Sequence, residues 1–345
     1  MIAIPVTRPV VKSAVLLTAL FFLLGSTPDF AVAQETLDTR IGKLSFTKDF
    51  KNGYPTDETV TKLYDEMDFQ RAVQAYIWAI PLVGFEYWQQ VQDEELGLKN
   101  GQLVYMETYA EKVCCLTLNV TTPYVQTFLD LTKAGPLVIE IPAGGEVRGA
   151  THDMWQIQSA QMTRPGKYLF VGPSHEGPPE AESDGSIVTH SPMQDMFVGI
   201  RLIPEDPKER EALLNTIKIY PYSERKSPKS KGYVRPTKPW FAYHPRTMEY
   251  WRTIHESLNR QPVREVDRYF VAMLKELGIE KGKPFKPNDR QKKILMDALV
   301  VGEAMAKAND FNKRLEKAHY RDNSHWHFST TANSNQRTEF YQQLD

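Results

Sequence analysis

The feature that most constrains the fold is a block of short strand-like runs between Gln102 and Arg201, with no helical pattern between them. The runs are rich in β-branched and aromatic residues, and Gly-Pro, Pro-Gly and Gly-Gly pairs separate them. This pattern predicts strands joined by turns. Because parallel strands are joined by long crossovers, usually helices, the block favours an antiparallel sheet or sandwich over a βαβ fold.

Helical periodicity lies on both sides of this block. Apolar residues recur every three or four positions from Asp57 to about Ile80, and Pro81 is expected to break or kink that helix because it has no amide hydrogen. The pattern also predicts helices at Glu86 to Gln90, Asp206 to Ile217, Arg246 to Leu258, Val263 to Leu277, and from Pro287-Asn288 onward with Asn288 as N-cap. The predicted fold class is α+β, with an antiparallel β-sheet or sandwich core, an N-terminal helical segment and a helical C-terminal third.

The N-terminus predicts a secretory signal peptide. Arg8 and Lys12 precede an apolar run, Ala14 to Leu24, which is shorter than the ~20 residues that span a bilayer. A small-x-small cleavage motif ends at Ala33. The alternative is an uncleaved membrane anchor, which the short apolar run disfavours. We expect a periplasmic or secreted protein that begins at Gln34 and has no integral membrane segment. The predicted organisation is a signal peptide (1–33), a single domain (34–318) and a tail (319–345).

The charge balance excludes one class of partner. The chain has 42 basic and 43 acidic residues, for a net charge of -1, so no nucleic-acid partner is predicted, since nucleic-acid binders carry a basic excess. The segment 223–240 carries six basic residues against one acid. It either contacts an anionic surface or is a solvated connecting loop, and we favour the loop.

The two cysteines, Cys114 and Cys115, are neighbours and cannot join distant segments. Two free thiols and a strained vicinal disulfide are the alternatives. A packing role without chemistry is the favoured interpretation, and CxxC metal spacing is absent.

The sequence has no familiar catalytic motif: it contains no G-x-S-x-G, P-loop, H-E-x-x-H or dinucleotide fingerprint. His325 and His327 share a face if their segment is a strand, but no third ligand is evident, so no metal site is predicted. No cofactor is predicted either.

The densest group of chemical side chains lies in GATHDMWQ, Gly149 to Gln156. His152 can exchange a proton near neutral pH, and Asp153 could orient a base or act as one. Trp155 and Gln156 offer a stacking face and an amide for a ligand. Neighbours on a strand point apart, so His152 and Asp153 share a pocket only if the strand bends or bulges there. The alternative is a strand with a buried tryptophan and a hydrogen-bonded aspartate.

A second candidate segment is NVTTPYVQTFLDL, 119–131. Asn119 and Tyr124 offer an amide and a phenol, for a ligand or for packing. Asp130 is expected to cap a turn through its carboxylate. The predicted site therefore combines the two segments, with catalytic residues His152 and Asp153, and ligand-binding residues Asn119, Tyr124, Trp155 and Gln156.

Taken together, these segments resemble the bacterial family called domain of unknown function 1254. The resemblance rests on YDEMDFQRAVQAYIWAIPLVG, NVTTPYVQTFLDL, GPLVIEIP, THDMWQ, PGKYLFVGP and GIEKGKPFKPNDRQ, in that order. The family form of the second segment is Asn-x-Asp-Thr-x-Tyr, and Thr121 stands where the family usually has Asp. Any catalytic or metal-binding role of that acid would be missing here. The family implies a fold more firmly than a reaction.

Members of that family often continue into a second β domain, numbered 1214. This chain ends about where that domain would begin, so the resemblance implies self-association or a separate partner that covers an apolar face. The leading hypothesis is an exported, hydrolase-like or small-molecule-binding protein. The alternative is a non-catalytic structural or interaction module of the cell envelope.

Overall fold

The computed structural model describes residues 34–108, 121–178, 184–314, 318–324 and 326–327. The predicted signal peptide, both cysteines, Asn119 and His325 lie outside these ranges. The chain divides into two compact units, residues 1–62 and 63–345. None of the helices among the described residues has the length and apolar character needed to cross a membrane.

The first unit contains a small antiparallel hairpin of β1 (Thr36–Thr39) and β2 (Gly42–Ser45). Gly42 opens the second strand with a φ of 96°, a left-handed conformation that a side chain would strain. Helix α1 (Asp57–Leu96) begins in this unit.

The second unit contains two β-sheets. Their strands are β3 (Leu103–Met106), β4 (Tyr124–Asp130), β5 (Leu137–Ile141), β6 (Val147–Asp153), β7 (Gln158–Met162), β8 (Gly166–Val171), β9 (Ile187–His190), β10 (Asp195–Leu202), β11 (Lys218–Pro221) and β12 (Tyr233–Val234). One sheet has the order β12-β3-β4-β10-β6-β7, and the other has β11-β5-β8-β9. All pairs are antiparallel except β12 with β3 and β8 with β9, at sheet edges.

One apolar core joins the two sheets. Val125 and Val198 of the six-stranded sheet share a cluster of buried residues with Ile139 and Phe170 of the four-stranded sheet. The strands alternate between this core and the opposite face, as the two-residue period of a strand requires. The predicted α+β class with an antiparallel β core is therefore confirmed.

The C-terminal third is helical, as predicted. Its helices are α2 (Pro207–Thr216), α3 (Met248–Arg260), α4 (Arg268–Lys275) and α5 (Asp289–Phe311). Asn288 caps α5 in a reciprocal capping box with Gln291, which confirms the predicted start. The helix expected from Val263 begins later, at Arg268, after a 3₁₀ turn over Glu265–Asp267. Asp267 is buried there and accepts hydrogen bonds from Arg264.

Helix α1 does not end at Pro81: the residues predicted to be helical on either side of it are helical, but they belong to one helix, so a break at Pro81 is wrong. The helix runs without interruption to Leu96. Pro81 lacks an amide hydrogen, so one helical hydrogen bond is missing there. Its carbonyl accepts a hydrogen bond from Nε2 of Gln156 at 2.9 Å. Burial of Leu82, Val83 and Phe85 against neighbouring elements outweighs the local penalty, since tertiary packing supplies most helix stability in proteins.

Helices α1, α3 and α5 share a second core. Tyr76 of α1 stacks on Tyr250 of α3 with ring centroids 4.3 Å apart. The hydroxyl of Tyr250 donates to the carbonyl of Tyr76 at 2.7 Å, and Nε1 of Trp251 donates to the carbonyl of Leu295 at 3.0 Å. Each buried polar aromatic atom in this core therefore has a partner, which stabilises the packing.

We expect Gly302→Ala to destabilise the protein, although alanine normally favours a helix over glycine by about 1 kcal/mol. A Cβ on Gly302 would lie 2.6 Å from Cδ1 of Tyr76, and Tyr76 is held by its stack on Tyr250. Overpacking of this kind costs about 1–3 kcal/mol. Urea unfolding measures this change in the free energy of unfolding. The matched control is Gly84→Ala in α1, where the Cβ would meet only Nε2 of Gln156, at 3.2 Å; equal effects of the two changes would contradict the packing argument.

Candidate functional site

The structure places His152 and Asp153 at the end of β6, beside a register shift between Thr151 and His152. The His152 ring lies near two aromatic rings, with centroids 6.5 Å from Phe85 and 6.1 Å from Phe197. The local irregularity in the strand that a shared pocket requires is therefore present. The two side chains nevertheless have different surroundings.

Asp153 organises the turn that follows β6. Its Oδ1 accepts the amide hydrogens of Trp155 at 2.8 Å and Ile157 at 3.0 Å. Burial raises the pKa of this carboxyl, and the two amide hydrogen bonds oppose that rise. The geometry gives Asp153 a structural role in the turn. Its predicted catalytic role, like that of His152, stays a prediction.

Trp155 and Gln156 attach this turn to α1, and Trp155 also contacts Arg264. Trp155 packs on Trp78 of α1, with centroids 4.9 Å apart, and lies under the guanidinium of Arg264 at 4.1 Å. Gln156 adopts a φ of 63° and reaches Pro81 with its amide. Both residues predicted to bind a ligand thus make contacts within the protein.

The structure does not bring Tyr124 to this turn. In β10, Arg201 pairs with Tyr124, whereas Phe197 pairs with His152. Four residues along a strand correspond to about 13 Å, so Tyr124 and His152 do not border one small pocket. The prediction for Asp130 is confirmed, because its Oδ1 accepts the amide hydrogen of Thr132 at 2.8 Å.

We expect Asp153→Ala to destabilise the protein by about 1–3 kcal/mol, because two buried amide hydrogens lose their acceptor. Asp153→Asn keeps an oxygen in place and should stay close to the wild type in urea unfolding. The pair also tests the predicted catalysis. If Asp153→Asn keeps its stability but loses binding or turnover of a ligand, the carboxylate is functional and its role is more than structural.

A different group of residues has the properties of a chemical site: the buried carboxyl pair of Glu86 in α1 and Asp195 at the start of β10. Glu86 is 8% exposed and Asp195 is 0% exposed. Nε2 of Gln261 donates to both, to Oε1 of Glu86 at 3.2 Å and to Oδ2 of Asp195. The two carboxyl groups therefore lie within a few ångströms of each other and share one donor.

Helix α3 supplies the other partners of the pair. The hydroxyl of Ser257 donates to Oε1 of Glu86 at 2.9 Å, and the guanidinium of Arg260 pairs with Oδ1 of Asp195. Gln261, which caps the C-terminus of α3, also receives the amide hydrogen of Gln194 on its Oε1 at 2.9 Å. These bonds hold the C-terminal end of α3 against the start of β10.

Burial and the neighbouring charge of Asp195 raise the pKa of Glu86 to about 7. Burial also raises the pKa of Asp195, against the opposing charge of Arg260. Two close carboxyls in a low-dielectric site resist double ionisation, and the guanidinium favours the charge on Asp195. The pair therefore holds a proton on Glu86 that is exchangeable near neutral pH.

A polar cleft of about 270 Å³ opens beside Glu86. It is lined by Glu86, Gln89, Gln90, Asp93, Glu94, Thr253, Glu256 and Arg260, all from α1 and α3. Partial burial raises the pKa of Asp93 to about 6, with the opposing charge of Arg260 as the next influence. Glu86 lines this cleft, and both of its hydrogen bonds to the described part of the chain are accepted by Oε1.

The sequence pattern predicts a helix over Glu86 but does not distinguish this residue as functional. The sequence does contain a signal, because Glu86 and Gln89 share a helical face with Leu82 and Phe85. A polar side chain on an apolar face is expected to be buried, and a buried polar side chain has a bonding partner or a function. Gln261 and Asp195 gave no signal, because their meeting depends on the docking of α3 against β10.

Metal ligation finds no support within the described ranges, where no cluster of three or more histidine, cysteine, aspartate or glutamate side chains could hold an ion. The rings of His319 and His327 lie 4.5 Å apart, while His325 is not described.

Comparison with known proteins supports the family resemblance. Residues 100–221, from before β3 to the end of β11, match the model of DUF1254, described as a protein of unknown function. The VPA0106 protein from Vibrio parahaemolyticus has a similar solved structure, with a TM-score of 0.53 and 15% identity over 73% of this chain. This chain spans 62% of that one, and the likeness concerns the fold alone. No curated protein matches.

Proposed function

We propose that this chain, whose residues 100–221 match the DUF1254 family model, is an exported protein that binds a small polar molecule in the cleft between α1 and α3. Glu86 exchanges a proton with that molecule. Asp195 and Gln261 determine the protonation state of Glu86. The observation that carries the proposal is the buried pair itself, with the pKa of Glu86 near 7 beside an open cleft. Acids and bases that work at neutral pH need such a value.

The chemistry that fits this arrangement is general acid–base catalysis of a hydrolase-like reaction. A carboxyl that is half protonated at pH 7 can both give and take a proton within one reaction cycle. The cleft volume of about 270 Å³ is near the lower end of small-molecule sites, about 300–1,000 Å³. It suits a ligand of metabolite size.

A thermal-shift screen against metabolites, run on the mature protein, tests the binding. A specific ligand should raise the melting temperature, because binding to the native state adds to its stability. The same ligand should fail to stabilise Glu86→Gln. The matched control is Glu209→Gln, which changes an exposed carboxylate on α2 and should respond like the wild type. A ligand that stabilises wild type and Glu86→Gln equally would refute a role for Glu86.

Export is part of the proposal, and the basic residues, short apolar run and small-x-small motif of the N-terminus support it. N-terminal sequencing of the protein from an envelope or culture fraction should begin at Gln34. Recovery of the intact Met1 terminus in the cytoplasm would refute export.

A non-catalytic interaction module is the second candidate function. The packing of Trp155 and Gln156 against Trp78 and Pro81 favours it for the turn after β6. The adjacent exposed rings of Phe241 and Tyr243, 5.5 Å apart, offer an apolar contact for a second copy or another protein. Light scattering tests this candidate: an assembly that Phe241→Ser and Tyr243→Ser dissociate would support it, and a monomer at micromolar concentration would refute self-association.

A further inference from the structure

The C-terminal end of α3 and the residues after it, 257–263, form part of the cover that keeps water from the buried carboxyl pair. We call this segment the α3 end. Ser257 and Gln261 are buried and donate to Glu86. The side chain of Arg260 lines the open cleft and is 41% exposed, yet it reaches Asp195, which is 0% exposed. Displacement of the α3 end would therefore bring water to both carboxyl groups.

Polar contacts hold the α3 end against its neighbours. The amide hydrogen of Gln194, just before β10, bonds to Oε1 of Gln261 at 2.9 Å, and Asp195 accepts from both Gln261 and Arg260. On the other side, Nζ of Lys281 donates to the carbonyl of Gln261 at 2.7 Å. Contacts of this kind lose little when the segment moves, because water can replace each partner.

Helix α1 is attached to the same sheet in a different way. The ring of Phe85, next to Glu86, lies 5.0 Å from Phe197 of β10 and 5.6 Å from Phe128 of β4, measured between centroids. Burial of aromatic rings contributes more than exposed polar contacts. When the carboxyl pair is forced apart from its cover, α1 is therefore expected to stay on the sheet and the α3 end to move.

Hollows flank the α3 end on two sides. One is the polar cleft of about 270 Å³ that Arg260 lines. The other, of about 10 Å³, lies between Trp78 and Trp155 on one wall and Gln261 and Pro262 on the opposite wall, and it has room for about one water molecule. A segment with empty space beside it has fewer packing contacts to lose, so it opens more readily than the helical core.

The charge of Glu86 decides whether the closed arrangement is favourable. The charged groups around it are Asp93 of α1, Asp130 of β4, Asp195 of β10, Glu256 and Arg260 of α3, and Lys281 after α4. A second negative charge beside Asp195 is strongly unfavourable while the site excludes water. Water that reaches both carboxylates weakens their repulsion, because it raises the local dielectric constant.

We propose that the α3 end is a proton-controlled cover, which stays docked on β10 while Glu86 is protonated and detaches to admit water when Glu86 is ionised. The inference rests on the proposed function for its purpose, since detachment widens the cleft in which the ligand is proposed to bind. Its geometry does not require a ligand.

The opening should depend on pH over a defined range. With the cover closed, the pKa of Glu86 is about 7, against 4.5 for the carboxyl in water, so opening releases a proton between these two values. The advantage of the closed state is complete below the lower value and is lost as pH rises through the upper one. The opening constant should rise by up to about tenfold per pH unit within this range and level off above it.

Amide hydrogen exchange at single residues tests the inference. The amide hydrogens of Gln194 and Gln261 bond to Oε1 of Gln261 and to the carbonyl of Ser257, so detachment of the α3 end exposes them. We expect their protection, corrected for the intrinsic exchange rate, to fall by about tenfold from about pH 5.5 to about pH 7.5. Low urea should hardly change their exchange, whereas the amide of Leu295 in the core of α5 should show the strong urea dependence of global unfolding.

Two variants assign the control to one carboxyl group. Glu86→Gln should keep both amides protected at both pH values, because glutamine cannot ionise. Asp93→Asn is the matched control: it removes the neighbouring carboxyl whose pKa is also raised, to about 6, and it should retain the pH-dependent opening of the wild type.

The outcomes separate this inference from the proposed function. If Gln194 and Gln261 exchange with the protection and urea dependence of Leu295, the α3 end opens only with the whole protein and the inference is overturned. A local opening whose pH dependence persists in Glu86→Gln also overturns it. Local opening that follows the expected pH dependence supports the cover even if no metabolite stabilises the protein, a result that removes the binding function alone.

Discussion

Glu86→Gln should stabilise the protein at about pH 8 by about 3 kcal/mol and have little effect at about pH 4, by the linkage between proton binding and folding. The pKa of Glu86 rises from 4.5 to about 7 on folding, so the folded protein binds the extra proton in that interval. In the wild type, this favourable contribution is complete below pH 4.5 and is lost as pH rises through about 7. Glutamine resembles the protonated acid at every pH and retains the contribution.

Urea unfolding over this pH range measures the difference between the two proteins. Asp195 and Arg260 act on this carboxyl in opposite directions, and their coupling to Glu86 is part of the difference that the comparison measures. The matched control is Glu209→Gln, which should run parallel to the wild type. Parallel curves for Glu86→Gln and the wild type would mean that Glu86 has an ordinary pKa and would remove the basis of the proposed acid–base role.

Arg260→Met should destabilise the protein by about 3 kcal/mol or more at neutral pH, because it leaves Asp195 buried without its ion-pair partner. Asp195 is 0% exposed, and its remaining partners, Gln89 and Gln261, are neutral amides. Without the guanidinium, burial would raise the pKa of Asp195 further. The loss should therefore shrink at acidic pH, where the variant can protonate Asp195 and the charge disappears.

A double-mutant cycle separates the ion pair from the packing of the arginine side chain. Asp195→Asn combined with Arg260→Met removes the charge together with its partner and should be more stable than Arg260→Met alone. Arg252→Met, on the same helix, is the matched control. Arg252 pairs with Glu249 at the surface, where such a pair contributes about 0–1 kcal/mol. Equal losses at Arg252 and Arg260 would show that Asp195 does not depend on its partner.

Helices and strands could be predicted from the sequence where the local residue pattern determines them. Asn288 and Gln291 form a capping box that can be recognised in the sequence, and α5 begins where this motif predicts. The short runs between Gln102 and Arg201 became strands because their side chains fit a pleated, half-buried surface. A break at Pro81 is wrong because the penalty of the proline is local, whereas the burial that keeps α1 intact comes from elements far away in the chain.

The candidate site was harder to predict because its parts are distant in sequence. His152 and Asp153 are neighbours in the sequence and so form a recognisable pair, yet the carboxylate of Asp153 accepts hydrogen bonds from the turn. Glu86, Asp195 and Gln261 come from three separate regions, and nothing local distinguishes the last two. Their chemistry arises from burial and from proximity, both of which are properties of the folded state.

The length of α1 and the late position of its partners determine when this protein can finish folding. Trp78 bonds to Asp267 and Glu86 bonds to Ser257, across 189 and 171 residues of chain. At a synthesis rate of about 5–20 residues per second, that separation corresponds to roughly ten to forty seconds. Throughout this interval α1 has no docking surface from the C-terminal helices, and Glu86 titrates as an ordinary glutamate in water. A newly made chain is therefore open to chaperones, or to a translocation machinery that needs unfolded substrates, until its last third has been synthesised.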